Sequence, residues 1–120
     1  DATVIGTVGA IAAYEKGGAW QREVKDLIRA NVDLVESGLS GSPIDFVRPE
    51  ATYLTWWGFE GVDLGHRSPS AVLRDEAGIA ANEGRTLGAD YGQWARINLA
   101  CAPDVARRIV DGALALDALR

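Results

Sequence analysis

A stripe of apolar side chains at helical spacing, between about Ala19 and Glu36, limits the fold of this chain more than any other feature. Its members are Trp20, Val24, Leu27, Ile28, Val32 and Val35. Charged residues fall mostly on the opposite side of the segment, which predicts an amphipathic helix with one buried face. Residues 3–15 repeat valine and isoleucine at the same spacing and predict an earlier helix, which Gly17-Gly18 should break. Ser37-Gly38 and Gly41-Ser42-Pro43 are expected to end the second helix and form a loop.

Two β-like runs follow the helices. Residues 44–48 roughly alternate between apolar and polar side chains, and residues 52–59 read TYLTWWGF, which is rich in aromatic and β-branched residues. Pro49-Glu50-Ala51 separates the two runs and is expected to turn the chain. The pattern therefore predicts an antiparallel hairpin.

The second half of the chain alternates helix and strand signals. The predicted elements are a helix that Ser68 caps and Gly78 ends, a strand at Ile79–Ala81, a glycine-containing loop at 82–92, a strand at Trp94–Ala100 and a helix at Pro103–Leu119. Proline at the first position after a serine cap is a common helix start. The order α, α, β, β, α, β, β, α predicts an α+β domain whose small, mostly antiparallel sheet is covered by helices.

Composition narrows the range of partners. The net charge of −5 disfavours nucleic acid, since phosphate binding requires clustered lysine and arginine. No apolar stretch approaches the roughly 20 residues that span a bilayer, so no membrane contact is expected. Cys101 and His66 are the only residues of their types. They rule out an internal disulfide and provide too few ligands for an ordinary zinc site, and the cysteine usage fits a cytoplasmic location.

Four sequence strings carry a more specific resemblance. They are AAYEKGGAWQREVKDLIRAN at 12–31, PEATYLTW at 49–56, EAGIA at 76–80 and WARINLA at 94–100, the last preceded by Gly84 and Gly88 and followed by Pro103. In this order they resemble the C-terminal third of the cystathionine β-lyase-like branch of the class I/II aminotransferases, which are fold-type-I enzymes. Glu83 replaces a usual proline, Leu87 a usual phenylalanine, and Trp94-Ala95 a usual aromatic-valine pair. These departures concern the shape of the substrate pocket rather than the fold.

The resemblance implies part of a pyridoxal-phosphate-dependent enzyme. Residues 19–120 would be the small domain of a C–S lyase that cleaves cysteine S-conjugates to pyruvate, ammonia and thiol. Residues 1–18 would be the remnant of a helix leading to a missing large domain. An aminotransferase is the near alternative, and a non-catalytic α+β interaction module is an alternative of another class. Enzymes of this kind form homodimers, and the complete protein is expected to be a cytoplasmic homodimer.

The resemblance also assigns the catalytic parts. The lysine that forms the Schiff base with the cofactor lies upstream in such enzymes, and neither Lys16 nor Lys25 matches its motif. This chain alone is therefore not expected to be active, and no catalytic or metal-binding residue is expected in it. Arg96 matches the arginine that binds the α-carboxylate of the amino-acid substrate. A guanidinium can donate two parallel hydrogen bonds to a carboxylate, which fixes its orientation. The competing interpretation is a strand arginine on a solvated face.

Other candidates have simpler explanations. Either Trp56 or Trp57 could line a pocket, although one should pack in the core and the other should cover a helix or an interface. Tyr53 and Tyr91 are weaker candidates of the same kind. The glycines of the loop do not match a phosphate-binding motif and are expected to permit positive φ angles near the site; they are Gly84, Gly88 and Gly92.

Among the remaining reactive groups, simple surface or core roles are expected. His66 could act as a base but should be a surface-loop residue. Cys101 has no neighbouring histidine and should be a buried, unreactive thiol. Glu60 and Asp63 should be solvated loop carboxylates rather than a catalytic pair.

Overall fold

The computed structural model describes residues 3–116 and Leu119. Its elements are the helices α1 (Val4–Lys16), α2 (Gly18–Leu39), α3 (Pro69–Ala77) and α4 (Pro103–Leu114), the strands β1 (Asp45–Val47), β2 (Leu54–Gly58), β3 (Asn82–Glu83) and β4 (Trp94–Asn98), and a 3-10 turn at Gly84–Thr86. The predicted element order and the α+β class are confirmed.

The strands form one antiparallel sheet in the order β1-β2-β4-β3. Alternate residues of β2 and β4 are buried against the helices, and they join a core that the helices complete; this core includes Val35, Trp57, Leu73, Ile97, Leu99 and Ala113. The alternate residues between them point to the other side of the sheet. We call that side the open face, and its residues on the two central strands are Leu54, Trp56, Gly58, Trp94, Arg96 and Asn98.

The first two helices form one nearly continuous rod. Only Gly17 separates them, and its backbone stays in the right-handed helical region at φ −81° and ψ −2°. A helix of about 36 residues is about 54 Å long, and the longest dimension of the molecule is 52 Å. A Cβ at Gly17 would overlap the carbonyl oxygen of Ala13, so glycine is required at this joint. Gly17-Gly18 was predicted to break the first helix, and the boundary between α1 and α2 does fall at Gly17.

The rod is exposed at its beginning and buried at its end. None of the residues of α1 is buried, and Ile5 is 86% exposed while Trp20, near the start of α2, is 69% exposed. The apolar stripe enters the core only at Val32, Val35 and Leu39. The sequence predicted burial along the whole stripe, but Trp20 and Leu27 are exposed and Val24 and Ile28 are only half-buried.

Helix α2 continues through Ser37-Gly38, the first part of its predicted end, and ends at Leu39, before Gly41. A Cβ at Gly38 would come within 2.7 Å of the Val110 side chain on α4. This glycine therefore lets two helices approach closely, a use that local helix-ending rules do not anticipate.

Two other predicted boundaries are wrong. Residues 79–81 do not form a strand; the backbone N–H of Ile79 donates to the carbonyl oxygen of Leu73 and closes the end of α3. The short strand begins three residues later, at Asn82. Helix α4 ends at Leu114 instead of Leu119. Part of the predicted extension, residues 117 and 118, lies outside the described residues.

Candidate functional site

Arg96 lies in the middle of β4, and its neighbours Ala95 and Ile97 are buried in the core. Arg96 is half-buried on the open face. The register places it opposite Trp56 on β2 and opposite Asn82 on β3. The side chain of Arg96 therefore occupies the centre of the open face, with one neighbouring strand on each side.

The Arg96 guanidinium has unused hydrogen-bonding capacity. Its Nη2 donates to Asn82 Oδ1 over a long distance of 3.3 Å. Its Nε is buried and has no hydrogen-bond partner among the residues that the structure describes. A guanidinium carries five N–H donors, and leaving a buried donor unsatisfied costs about 1–3 kcal/mol. The geometry therefore suits an anionic acceptor that the described residues do not provide.

Three aromatic rings stand beside Arg96 on the open face, and we call them the aromatic wall. Trp56 and Trp94 are stacked with ring centroids 5.8 Å apart and planes 17° apart. Tyr91 meets Trp56 edge-on, with centroids 5.2 Å apart. A Cβ at Gly58 would lie 2.9 Å from the ring of Trp94, so this glycine lets the indole lie flat on the sheet. The indole N–H of Trp94 donates to Glu60 at 3.1 Å.

Asn31 holds the end of the strand that carries Arg96. Its side chain is fully buried in α2, and its Nδ2 donates to the carbonyl oxygens of Leu99 and Cys101, both at 2.9 Å. This bond pair ties α2 to the connection between β4 and α4. The sequence strings included Asn31 without a role. The signal that could have identified it is a polar residue three positions from Ile28 and four from Val35, on the buried side of the helix.

The glycines of the loop before β4 have a different role from the predicted one. Positive φ angles among the described glycines occur at Gly41, Gly65 and Gly78, so the prediction of positive φ at 84, 88 and 92 is wrong. A Cβ at Gly84 would overlap the carbonyl oxygens of Tyr91 and Trp94, and one at Gly88 would come within 2.7 Å of the Tyr91 ring. These glycines permit close packing under the aromatic wall.

Glu83, which departs from the family pattern, is anchored to the start of α3. Its Oε2 accepts a hydrogen bond from the hydroxyl of Ser70 at 2.5 Å. Burial pushes the pKa of the Glu83 carboxyl upward, but hydrogen bonds from Ser68 and Ser70 and the nearby Arg85 outweigh burial and leave the pKa below its ordinary value. A carboxylate is also favoured near the N-terminus of a helix. Glu83 thereby fixes β3, and with it Asn82, beside Arg96.

Replacing Glu83 with glutamine should remove a pH-dependent contribution to stability. Because the folded-state pKa is lowered, the carboxylate stabilises the fold above its unfolded pKa, and this contribution is lost as the pH falls through the folded pKa. We expect Glu83→Gln to cost about 1 kcal/mol at pH 7 and to make the loss of stability below about pH 5 shallower. Urea unfolding from pH 3 to 7 measures both effects. The exposed Glu15→Gln is the control, and an unchanged pH dependence in Glu83→Gln would contradict the assignment.

The other candidates are scattered. Trp57 is fully buried, as expected for one of the two tryptophans, and its indole N–H donates to Thr55 Oγ1 at 2.9 Å. Tyr53 lines a groove of about 540 Å³ with α2, on the helix-covered side of the sheet. His66 is exposed on the surface. Asp63 accepts a hydrogen bond from the backbone N–H of Gly65, and Glu60 accepts one from the indole N–H of Trp94.

The sulfur and amine nucleophiles lie away from Arg96. Cys101 is half-buried, and burial, followed by the nearby Asp104 carboxylate, raises the pKa of its thiol, which keeps it protonated at neutral pH. Lys16 and Lys25 are exposed on α1 and α2. In the part of the chain that the structure describes, no three acidic, histidine or cysteine side chains are grouped as metal ligands. No helix in that part is both long and apolar enough to span a membrane.

Comparison with known proteins supports the resemblance found in the sequence. The chain matches no protein-family model. It is 28% identical over 100 residues to a cystathionine β-lyase of Corynebacterium glutamicum, which covers 83% of this chain and 27% of that protein. It is 27% identical over 93 residues to the cystathionine β-lyase PatB of Bacillus subtilis, covering 76% of this chain and 24% of that protein.

The fold is shared with solved structures of the same kind. Cystalysin from Treponema denticola, whose structure contains a pyridoxal 5'-phosphate cofactor, superimposes with a TM-score of 0.84 and 25% identity over 93% of this chain and 30% of cystalysin. The chain thus spans about a quarter to a third of the length of the proteins it matches. The resemblance to these enzymes and the aminotransferase-type α+β fold are confirmed.

Proposed function

We propose that this chain, which shares its fold with the pyridoxal-phosphate-dependent β-lyases and aminotransferases, is the substrate-carboxylate-binding small domain of a C–S lyase. The complete enzyme would act on cysteine S-conjugates such as cystathionine and release pyruvate, ammonia and a thiol. The observation that carries the proposal is the guanidinium of Arg96, whose buried Nε has no acceptor among the described residues.

Arg96 would bind the α-carboxylate of the amino acid. The β4 strand holds its Cα in place, because Ala95 and Ile97 on either side are fixed in the core. The hydrogen bond to Asn82 keeps the guanidinium extended along the open face while leaving its remaining donors for the ligand. Two parallel bonds to one carboxylate would fix the direction of the substrate Cα as well as its position. Orientation of this kind contributes to catalysis by limiting the bound substrate to a reactive arrangement.

The described residues fit the part of such a site that binds the substrate carboxylate. The cofactor would be bound by another part of the enzyme. Pyridoxal phosphate, when bound, supplies an electron sink for the carbanion at the substrate Cα. The open face carries an unsatisfied cation that suits the substrate carboxylate, but its residues on β2 and β4 include no lysine. The lysine, the cofactor's phosphate-binding loop and the partner of its ring nitrogen would therefore come from a large domain.

The exposed rod supports the division into domains at residues 1–18 and 19–120. The apolar side chains of α1 are largely exposed; they are Val4, Ile5, Val8, Ile11 and Tyr14. Exposed apolar patches of this kind mark interaction sites. The curated relatives are about four times as long as the matched segment, so additional polypeptide of such proteins could cover this surface. We propose that α1 packs against the large domain, and that the complete enzyme is a homodimer in the cytoplasm.

A product assay on the complete enzyme tests the proposal. With pyridoxal phosphate and cystathionine, we expect pyruvate, ammonia and homocysteine in equal amounts, because cleavage of the Cβ–S bond releases homocysteine and the remaining enamine takes up water to give pyruvate and ammonia. When 2-oxoglutarate is added as an amino acceptor, formation of glutamate and of an α-keto acid that retains the sulfur, without free ammonia, would identify an aminotransferase instead. A complete protein that shows no visible absorbance from bound cofactor and converts no amino acid would contradict both assignments.

A further inference from the structure

The aromatic wall lies next to Arg96 on the open face, and no catalytic step assigned so far requires it. Trp56 is directly opposite Arg96 in the register of β2 and β4. Directly paired residues have Cβ atoms about 5 Å apart. Trp94 is two residues from Arg96 on the same strand and therefore about 7 Å away along the same face. An amino acid whose carboxylate binds Arg96 can reach this wall with its side chain.

The wall is held in place without the help of a ligand. Gly58 and Gly88 lack the Cβ atoms that would otherwise collide with the rings of Trp94 and Tyr91. Stacking and edge-on contacts then fix the three rings relative to one another. A surface ordered before binding loses little conformational entropy when the ligand arrives.

The chemistry of the wall suits an apolar, flat group. The indole N–H of Trp94 already donates to Glu60, so that polar atom is engaged. Tyr91 remains 44% exposed and presents the outermost ring of the wall. Aromatic rings gain stability from stacked or edge-on contact with another ring. The nearby Glu60 carboxylate disfavours a negatively charged side chain at the same place.

We propose that Trp56, Tyr91 and Trp94 bind the sulfur substituent of the substrate and make the enzyme favour cysteine conjugates that carry an aromatic group. This inference rests on the proposed function, since it requires Arg96 to hold the substrate carboxylate. It adds a specificity determinant that lies on this chain, in the loop before β4 and on the open face of the sheet.

The test compares two substrates in the complete enzyme loaded with pyridoxal phosphate. The probes are S-benzyl-L-cysteine and S-methyl-L-cysteine, and the measured quantity is the ratio of their kcat/KM values for amino-acid consumption. We expect the unmodified enzyme to favour the benzyl compound. Tyr91→Leu should lower the ratio about three- to tenfold, the effect of losing one aromatic contact. Tyr91→Phe, which keeps the ring, should preserve it.

The ratio separates binding of the substituent from a structural role. A purely structural effect of Tyr91→Leu would lower kcat/KM for both substrates alike and leave the ratio unchanged, which would overturn the inference. Tyr53→Leu is the matched control, because Tyr53 is similarly exposed at 45% but faces α2 on the other side of the sheet. An equal change of the ratio in Tyr53→Leu would also overturn it. Failure of the proposed function looks different, since the unmodified enzyme would then consume neither amino acid.

Discussion

Replacing Arg96 with alanine in the complete enzyme is expected to lower kcat/KM for amino-acid substrates by about 2–5 kcal/mol, which is roughly 30- to several-thousandfold. The loss should appear largely as a higher KM, because the α-carboxylate loses its binding partner. Stability should change little, since the only hydrogen bond that the structure gives the guanidinium is the 3.3 Å contact with Asn82. Steady-state kinetics combined with thermal unfolding measures both effects.

Two further variants make the Arg96 prediction specific. Arg96→Lys keeps the charge but cannot donate two bonds in the same planar geometry, so it should recover only part of the lost activity. Arg108→Ala removes a 74% exposed arginine of α4 and should change kcat/KM by less than about 0.5 kcal/mol. If Arg96→Ala also changed kcat/KM by less than about 0.5 kcal/mol, the role assigned to Arg96 would be wrong.

Replacing Asn31 with leucine is expected to destabilise the domain by about 2–4 kcal/mol. The leucine would leave the carbonyl oxygens of Leu99 and Cys101 without the donor that now binds both at 2.9 Å. A buried polar group that loses its partner costs about 1–3 kcal/mol. The connection between β4 and α4 would loosen, and the end of the strand that carries Arg96 would loosen with it.

Urea unfolding of the purified chain measures the Asn31 effect. Gln21→Leu is the control, because Gln21 is an exposed amide on the same helix and its loss should matter by less than about 0.5 kcal/mol. Asn31→Asp should be at least as destabilising as Asn31→Leu, since a carboxylate would face two carbonyl oxygens. Near-native stability of both Asn31 variants would mean that the two hydrogen bonds contribute little.

The start and end of α3 were predicted correctly from its capping residues. Ser68 caps α3 through a hydrogen bond from the backbone N–H of Ala71, and Gly78 ends the helix with a φ of 67°. Both interactions involve residues close in sequence, so the residue types alone carry the information. The hairpin of β1 and β2 was predicted for the same reason, since the two runs are separated by a short turn.

Contacts distant in sequence explain the predictions that failed. Gly38 resembles a helix end, but Val110, far along the chain, requires a glycine there. Asn31 was assigned no role from the sequence, because the carbonyl oxygens of Leu99 and Cys101 come beside it only in the folded chain. Neither partner can be identified from local periodicity, because only the tertiary packing of α2 against β4 and α4 creates these contacts.

The candidate site combines both kinds of information. The role proposed for Arg96 was predicted from the resemblance of residues 94–100 to a family motif. Strand alternation alone also allowed an arginine on a solvated face. The aromatic wall was not predicted as a unit, because Trp56, Tyr91 and Trp94 come together only through the register of β2 with β4 and the fold of the glycine-containing loop.

A crystal structure of the complete enzyme with an unreactive amino-acid analogue tests the role of Arg96 most directly. We expect both oxygens of the α-carboxylate to lie about 2.7–2.9 Å from two nitrogens of the guanidinium, the distance of charge-assisted hydrogen bonds. A carboxylate bound elsewhere, with Arg96 still bonded only to Asn82 on the open face, would contradict the assignment.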